Sequence, residues 1–259
     1  QSIYATVADG ILRGQMPYRD LWDFKPPGIF LIYALAQALF GKTMLAVRLL
    51  EVAGLVGMIF GFMRLSERFF GVRRVGVIGG AVAALIHAQL EFWHTAQPET
   101  FGGFLTVWAL VLTACSGKRS RRLWRWLAIG ALFGAAFLLK PPLGGGALAC
   151  AAYLARAEWS REAKWSSAML PVAVIGVGSL LPIVACGLWF VSKGAWSELS
   201  WTLFEFTPGY TLLGWSNKSA PEMFYWGLEE LFFRFSALAA LGFIASIVIH
   251  PMHEDERRG

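Results

Sequence analysis

Two Lys-Pro-Pro triplets, Lys25-Pro26-Pro27 and Lys140-Pro141-Pro142, interrupt a chain otherwise poor in charge. A residue before proline is biased toward extended backbone, and proline suits the first turn of a helix. Lys25 is therefore expected in extended backbone just ahead of an apolar helix over 28–41, where the ammonium and the helix end both favour an anion. The alternative is a solvated loop in which the charges of PYRDLWDFKPPGIF (17–30), namely Arg19, Asp20, Asp23 and Lys25, pair with one another. Lys140 has apolar sequence on both sides. At mid-bilayer a lysine costs about 2.5–3.5 kcal/mol, so it is expected to face an external cavity at a helix break, where a phosphate would benefit, or to snorkel. Glu99 follows Pro98 at the start of an apolar run, either as a partner of that helix's dipole or as a site acid. His94 and Gln97, a few residues earlier, are candidates to line the same cavity. Arg48 and Glu51, three apart on one helix, are expected to form an intramembrane pair that fixes packing.

The elements that position these residues are read from composition and hydrophobic runs. The chain has 259 residues, of which 56% are hydrophobic and only 15% charged, with a mean hydropathy of +0.53. Soluble domains carry about 25% charged residues. The expected fold is an all-α polytopic membrane protein, a single transmembrane domain over 1–259 with about seven spans. A bilayer span needs about 20 apolar residues, and the candidates run over 43–65, 75–92, 99–115, 168–192 and 232–250. Residues 126–155 are expected as a hairpin of two short limbs with Pro141-Pro142 at its tip. Residues 1–42 form an external loop with interfacial helices, since 28–41 is too short to span comfortably. A second external loop covers 193–231, whose Tyr210, Trp215, Asn217 and Glu222 carry no assigned roles, and a cytoplasmic tail covers 251–259 with solvated His250 and His253. Glu229 and Glu230 are expected at the interface. The chain opens on Gln1 without a secretory signal, and is expected to be a processed, trimmed or partial chain.

The net charge of +6 does not point to nucleic acid, because the basic residues sit in short segments between apolar runs. Lys and Arg crowd 66–74, 116–125, 156–167 and the tail, and outnumber those of the alternate loops. The positive-inside rule then puts PYRDLWDFKPP outside the cytoplasm, with Trp residues near the span ends. Cys115, Cys150 and Cys186 lie in apolar stretches without metal-ligand spacing and are expected as small core- or lipid-facing residues.

The string Tyr4…Ala8…Gly14…Pro17-Tyr18-Arg19-Asp20…Asp23-Phe24-Lys25-Pro26-Pro27-Gly28 resembles the first external loop of the GT-C membrane glycosyltransferases. The resemblance is to the glycosyltransferase family 39-like branch, which includes protein O-mannosyltransferases and the lipid A aminoarabinose transferase. FGKTMLAVRLLEVAGLVG (40–57) is similar to the helix that follows, HTAQPETFGGFL (94–105) to the second external loop, and GALFGAAFLLKPP (130–142) to a later Gly-rich helix ending in Lys-Pro. The resemblance implies a GT-C-like module, incomplete at its N-terminus. It further implies transfer of a hexosyl or pentosyl group from a polyprenyl-phosphate donor to an acceptor glycan, lipid or protein at the extracytoplasmic face of the cell membrane. That chemistry needs a carboxylate at the acceptor hydroxyl and cations on the departing phosphate. The implied catalytic acids are Glu99, Asp20 and Asp23, with the base proper expected at or before Gln1. Lys25, Lys140, Arg19, Tyr18, Tyr4, His94 and Gln97 are the implied substrate contacts. Beyond membrane lipids and the donor itself no cofactor or metal is assigned, and a divalent-metal requirement is left open. The competing expectations are a transporter, for which no inverted repeat is evident, and a non-catalytic lipid-binding or assembly subunit.

Overall fold

The structure, a computed structural model, describes residues 1–89, 95–115, 123–215 and 218–231. Among these the protein is all-α. The helices are α1 (Ser2–Leu12), α2 (Gly28–Phe40), α3 (Met44–Phe70), α4 (Arg73–Gln89), α5 (Pro98–Cys115), α6 (Leu123–Leu139), α7 (Gly146–Glu162), α8 (Trp165–Ser192), α9 (Trp196–Trp201), α10 (Thr207–Trp215) and α11 (Ala220–Leu231). A 3₁₀ turn (Pro141–Gly145) joins α6 to α7, and a π turn (Thr202–Phe206) joins α9 to α10.

Three helices, α3, α5 and α8, are long and apolar enough to cross a membrane. Their outward faces carry large apolar side chains, among them Leu45, Val56 and Phe60 on α3 and Leu181 and Leu188 on α8, each at least half exposed or nearly so. A water-soluble protein of this size would not leave such stripes bare, so the chain is a membrane protein. The seven expected spans are not reached among the described residues. α7, with 17 residues, is about 25 Å long by the α-helical rise, short of a ~30 Å hydrocarbon core, while α4 and α6 each adjoin residues outside the described ones. The expected span 232–250, the tail 251–259 with His250 and His253, and Asn217 lie outside the described residues.

Two boundaries differ from expectation. The limbs around Lys140 run over 123–139 and 146–162, so α7 continues well past residue 155. The stretch LARAEWSRE there is rich in helix formers, and Arg161 donates to Glu158 one turn away at 2.7 Å, so Arg156 and Arg161 sit on a helix rather than in a loop. Within the expected external loop 193–231 the described residues form three short helices, started by the Gly194 turn and held by aromatic contacts such as Phe206 stacked on Tyr210.

α6 and α8 cross at very close range. A side-chain carbon at Gly130 would stand 2.1 Å from the Ile175 carbonyl oxygen, and one at Gly134 equally close to that of Ser179. A Gly-xxx-Gly stripe lets helix backbones touch in this way. Two apolar clusters result. One, including Trp126, Phe133, Leu154 and Ile175, fills the α5–α8 interior. The other, with Tyr4, Phe30, Tyr33, Phe101 and Phe190, lies where α1, α2 and the ends of α3, α5 and α8 meet. Cys150 and Cys186 are buried and Cys115 is exposed, all three as free thiols.

The second cluster marks one end of the bundle. The segment 13–27, the turn 95–97, the Lys140 break and α9 all gather there. Arg19 donates to the Lys193 carbonyl at 2.7 Å, and Thr207 to that of Phe24 at 3.1 Å. At the opposite end α3 and α5 finish together, where Arg68 reaches the Ala114 carbonyl at 3.2 Å.

Candidate functional site

The Lys25 segment is folded around Tyr18. This residue adopts a left-handed backbone (φ 68°) and its ring is buried against Phe190, 5.7 Å between centroids. Its N–H donates to the Leu21 carbonyl and its hydroxyl to the Lys25 carbonyl, both at 2.7 Å. Asp23 is buried, and its Oδ1 accepts the Lys25 N–H at 2.9 Å. The Lys25 backbone is thus clamped on both sides while the ammonium projects, 5.0 Å from the Phe24 ring centroid. Burial pushes the Tyr18 phenol well above its ordinary range, so it acts as a neutral donor in the clamp.

Gly28 brings the two Lys-Pro-Pro breaks together. The start of α2 presses so closely on the end of α6 that a side-chain carbon at Gly28 would lie 2.6 Å from the Leu138 carbonyl oxygen and 2.9 Å from the Leu139 nitrogen. Lys140 follows directly, in extended backbone. Its Nζ donates to Glu99 Oε1 at 2.5 Å, and each side chain is about half exposed, 47% for Lys140 and 51% for Glu99. Lys25 also acts electrostatically on Glu99. Tyr4 completes the group: its hydroxyl donates to Gln97 Oε1 at 3.1 Å. Burial first, then the negative fields of Asp23 and Glu99, push the Tyr4 phenol up to about 12. Two carboxylates and two lysines therefore converge around one end of α5.

The turn before Glu99 is held by residues that sequence reasoning did not assign to the site. Glu51, buried on α3, accepts from Arg48 at 2.7 Å, pairs with His87 Nε2 at 2.8 Å and accepts the Ala96 N–H at 2.5 Å. Tyr33 donates to the Ala96 carbonyl at 3.1 Å, and Gln1 Nε2 to that of Thr95 at 2.5 Å. The Arg48–Glu51 spacing was legible; the reach of Glu51 to a turn 45 residues away was not. His87, a lone imidazole in an apolar helix, was the available signal. Glu51→Ala is expected to lower stability by roughly 3 kcal/mol, as removal of one member of a buried ion pair does. Glu51→Gln, which keeps an acceptor for the Ala96 N–H, should lose less. Thermal melting with hydrogen exchange at Ala96 reads both.

Arg19 and Asp20 serve the architecture of the loop. The guanidinium forks onto Asp20 at 3.0 Å while also holding Lys193, and Asp20 Oδ2 accepts the Met16 N–H at 2.7 Å. The Arg19 hydrogen bond first, then that from Met16, lower the Asp20 carboxyl from 3.8 to about 2. A depressed folded-state value means that the stabilisation is complete above the unfolded value and is lost as pH falls through the folded one. The melting-temperature gap between the native chain and Asp20→Asn is therefore expected to be constant above about pH 5, to shrink below pH 4 and to close near pH 2.

The structure thus brings together Tyr4, Gln97, Asp23, Lys25, Glu99 and Lys140. It turns Arg19, Asp20 and the Tyr18 hydroxyl to backbone or to each other, and His94 lies outside the described residues. Beside the polar group runs an apolar groove of about 520 Å³. Gly28, Leu31 and Leu35 of α2, Leu138 and Leu139 of α6, and Pro182, Cys186 and Trp189 of α8 are among its walls. It begins at the residues that adjoin the two Lys-Pro-Pro breaks and follows α8 for about 10 Å. Such a site can hold an amphiphile with an anionic head: cations at one end, a dry channel behind.

The family model for dolichyl-phosphate-mannose-protein mannosyltransferase matches residues 24–189, well over half of the chain. Searches of curated proteins and of solved structures returned no match.

Proposed function

Because the chain belongs to the dolichyl-phosphate-mannose-protein mannosyltransferase family, we propose that this membrane glycosyltransferase moves a sugar from a polyprenyl-phosphate donor to an acceptor hydroxyl at the extracytoplasmic face. The observation that carries the donor assignment is the apolar groove abutting Gly28 and Leu139. A polyprenyl chain laid between α2, α6 and α8 would set its phosphate beside Lys25 and Lys140. Burial of isoprene units, at about 25 cal/mol per Å² of apolar surface, would supply affinity, and the lysines would supply position.

In the resting protein Lys140 is engaged by Glu99. An arriving phosphate would take Lys140 as its own partner and release Glu99. The freed carboxylate accepts the proton of the acceptor hydroxyl, whose oxygen bonds to the anomeric carbon. The bond from that carbon to the phosphate oxygen breaks, and its electron pair leaves with the polyprenyl phosphate, neutralised by Lys25 and Lys140. Asp23, behind the Lys25 N–H, keeps the first lysine aimed. The extracytoplasmic side is supported by the basic residues of 66–74 and 156–167, which favour the cytoplasmic face and lie at the ends of α3 and α7 away from Lys25.

The test is release of polyprenyl phosphate by the full-length protein in lipid nanodiscs, with polyprenyl-phosphate-linked mannose, glucose and aminoarabinose as donors. At least one is expected to turn over, and Lys25→Ala is expected to reduce kcat/KM by about 10²-fold. No turnover of any of the three, or an unaffected Lys25→Ala variant, would overturn the assignment.

A further inference from the structure

A second cleft, of about 330 Å³, opens on the other side of the Lys25 segment, between Trp22 on that segment and Ser197, Glu198, Trp201 and Thr202 of the α9 region, with Tyr18 at its base. Trp22 and Trp201 are 48% and 47% exposed, although both rest on Phe206, edge-on at 4.9 Å and tilted at 5.5 Å respectively. Two indoles packed on one phenyl ring are thereby each left about half exposed along the cleft. Glu198 offers a carboxylate, already accepting the Ser197 hydroxyl at 2.8 Å.

Thr202 is the independent observation. It is fully buried, lines the cleft, and its Oγ1 has no hydrogen-bond partner among the described residues. An unpaired buried hydroxyl costs about 1–3 kcal/mol, and most such groups in folded proteins are satisfied by something. Valine, of the same shape, would avoid the penalty. A hydroxyl retained at the floor of an open cleft suits a ligand that brings its own donors and acceptors.

We propose that this cleft binds a saccharide, the acceptor glycan of the transfer described above, on which reading the proposal rests. The ligand chemistry follows from the wall. Sugar rings present polarised C–H faces that pack on the negative face of an indole, and hydroxyl edges that donate to a carboxylate and exchange hydrogen bonds with a threonine. A phosphate or an acidic lipid headgroup would meet Glu198 with like charge, and a purely apolar chain would leave Glu198 and Thr202 unserved. The cleft also communicates with the donor end: the Tyr18 ring forms its base while the Tyr18 hydroxyl holds the Lys25 carbonyl. Its residues all lie outside the 24–189 stretch that the family model matches.

The experiment measures binding of mannotriose, maltotriose and chitotriose to the full-length protein in nanodiscs by calorimetry, without donor. At least one is expected to bind, with the affinity lowered about tenfold in Trp201→Ala and about three- to tenfold in Thr202→Val. Thr202→Val is also expected to melt at the same temperature as the native chain or higher, which separates ligand recognition from a structural role. Failure of all three saccharides to bind would overturn the proposal, as would binding that both substitutions leave unchanged. Donor hydrolysis by the unaltered protein is read in parallel. Saccharide binding without hydrolysis supports the cleft and counts against the transfer reaction, whereas hydrolysis without binding counts against the cleft alone.

Discussion

Replacing Lys140 with alanine is expected to slow sugar transfer by about 10²–10³-fold, the usual loss when one preorganised donor to a developing anion is removed. The effect has two sources that a single substitution does not separate. Lys140 would neutralise the departing phosphate, and in the resting protein it also neutralises Glu99 at 2.5 Å. Without it, Glu99 would repel the donor phosphate. A double-mutant cycle resolves the two. If Lys140 acted only by masking Glu99, then Lys140→Ala combined with Glu99→Gln would transfer sugar as well as Glu99→Gln alone. If Lys140 binds the phosphate, the double variant stays slow, and KM for the polyprenyl-phosphate donor rises in both Lys140 variants. Recovery of the double variant to the Glu99→Gln level is the result that would remove Lys140 from the phosphate site.

The second large effect is expected at a residue with no side chain. Gly28→Ala adds one carbon where three backbone atoms of Leu138 and Leu139 stand within 2.6–2.9 Å. Backbone cannot rotate aside as a leucine tip can, so α2 must lift away from α6. Overpacking of this kind costs about 1–3 kcal/mol and should lower the melting temperature by several degrees in a chain of this length. The functional loss should exceed the loss of stability. Lifting α2 separates Lys25 from Lys140 and Glu99, and a displacement of about 1 Å at reacting groups can cost 10²-fold. Gly103→Ala is the control: nothing stands within 4 Å of a carbon added there, so α5 should tolerate it or gain slightly from the better helix former. Equal behaviour of the two variants in melting and in donor turnover would contradict the close approach of α2 and α6.

Much of this architecture is legible in residue types. The apolar runs of α3, α5 and α8 and the proline breaks after Lys25 and Lys140 follow from local chemistry: apolar length against bilayer thickness, and the missing N–H of proline. The likeness of 130–142, and of 24–28 at the end of the first string, to one family agrees with the family match over 24–189. Helix ends were less legible. Arg156 and Arg161 looked like loop residues because charge usually marks a loop, yet here both lie on α7, where Arg161 pairs with Glu158. The three helices of 193–231 carry mixed aromatic and polar residues without a clear period, so the local pattern had no basis for choosing helix.

What the sequence by itself determined is the class of protein and the residues of a candidate site: a membrane-embedded all-α chain with Lys25, Glu99 and Lys140 at helix ends, where charge is tolerated. What only the tertiary structure decided is which of those charges meet. In sequence, Asp20 and Asp23 were equal candidates. The fold gives Asp20 to Arg19 and Met16 and leaves Asp23 beneath Lys25. It also makes Gly28 the joint between two distant Lys-Pro-Pro breaks, and sets Trp22 opposite Trp201 across a cleft. Local pattern reports how each segment meets water or lipid, but the pairing of charges depends on helix crossings set by close packing, and those belong to no single segment.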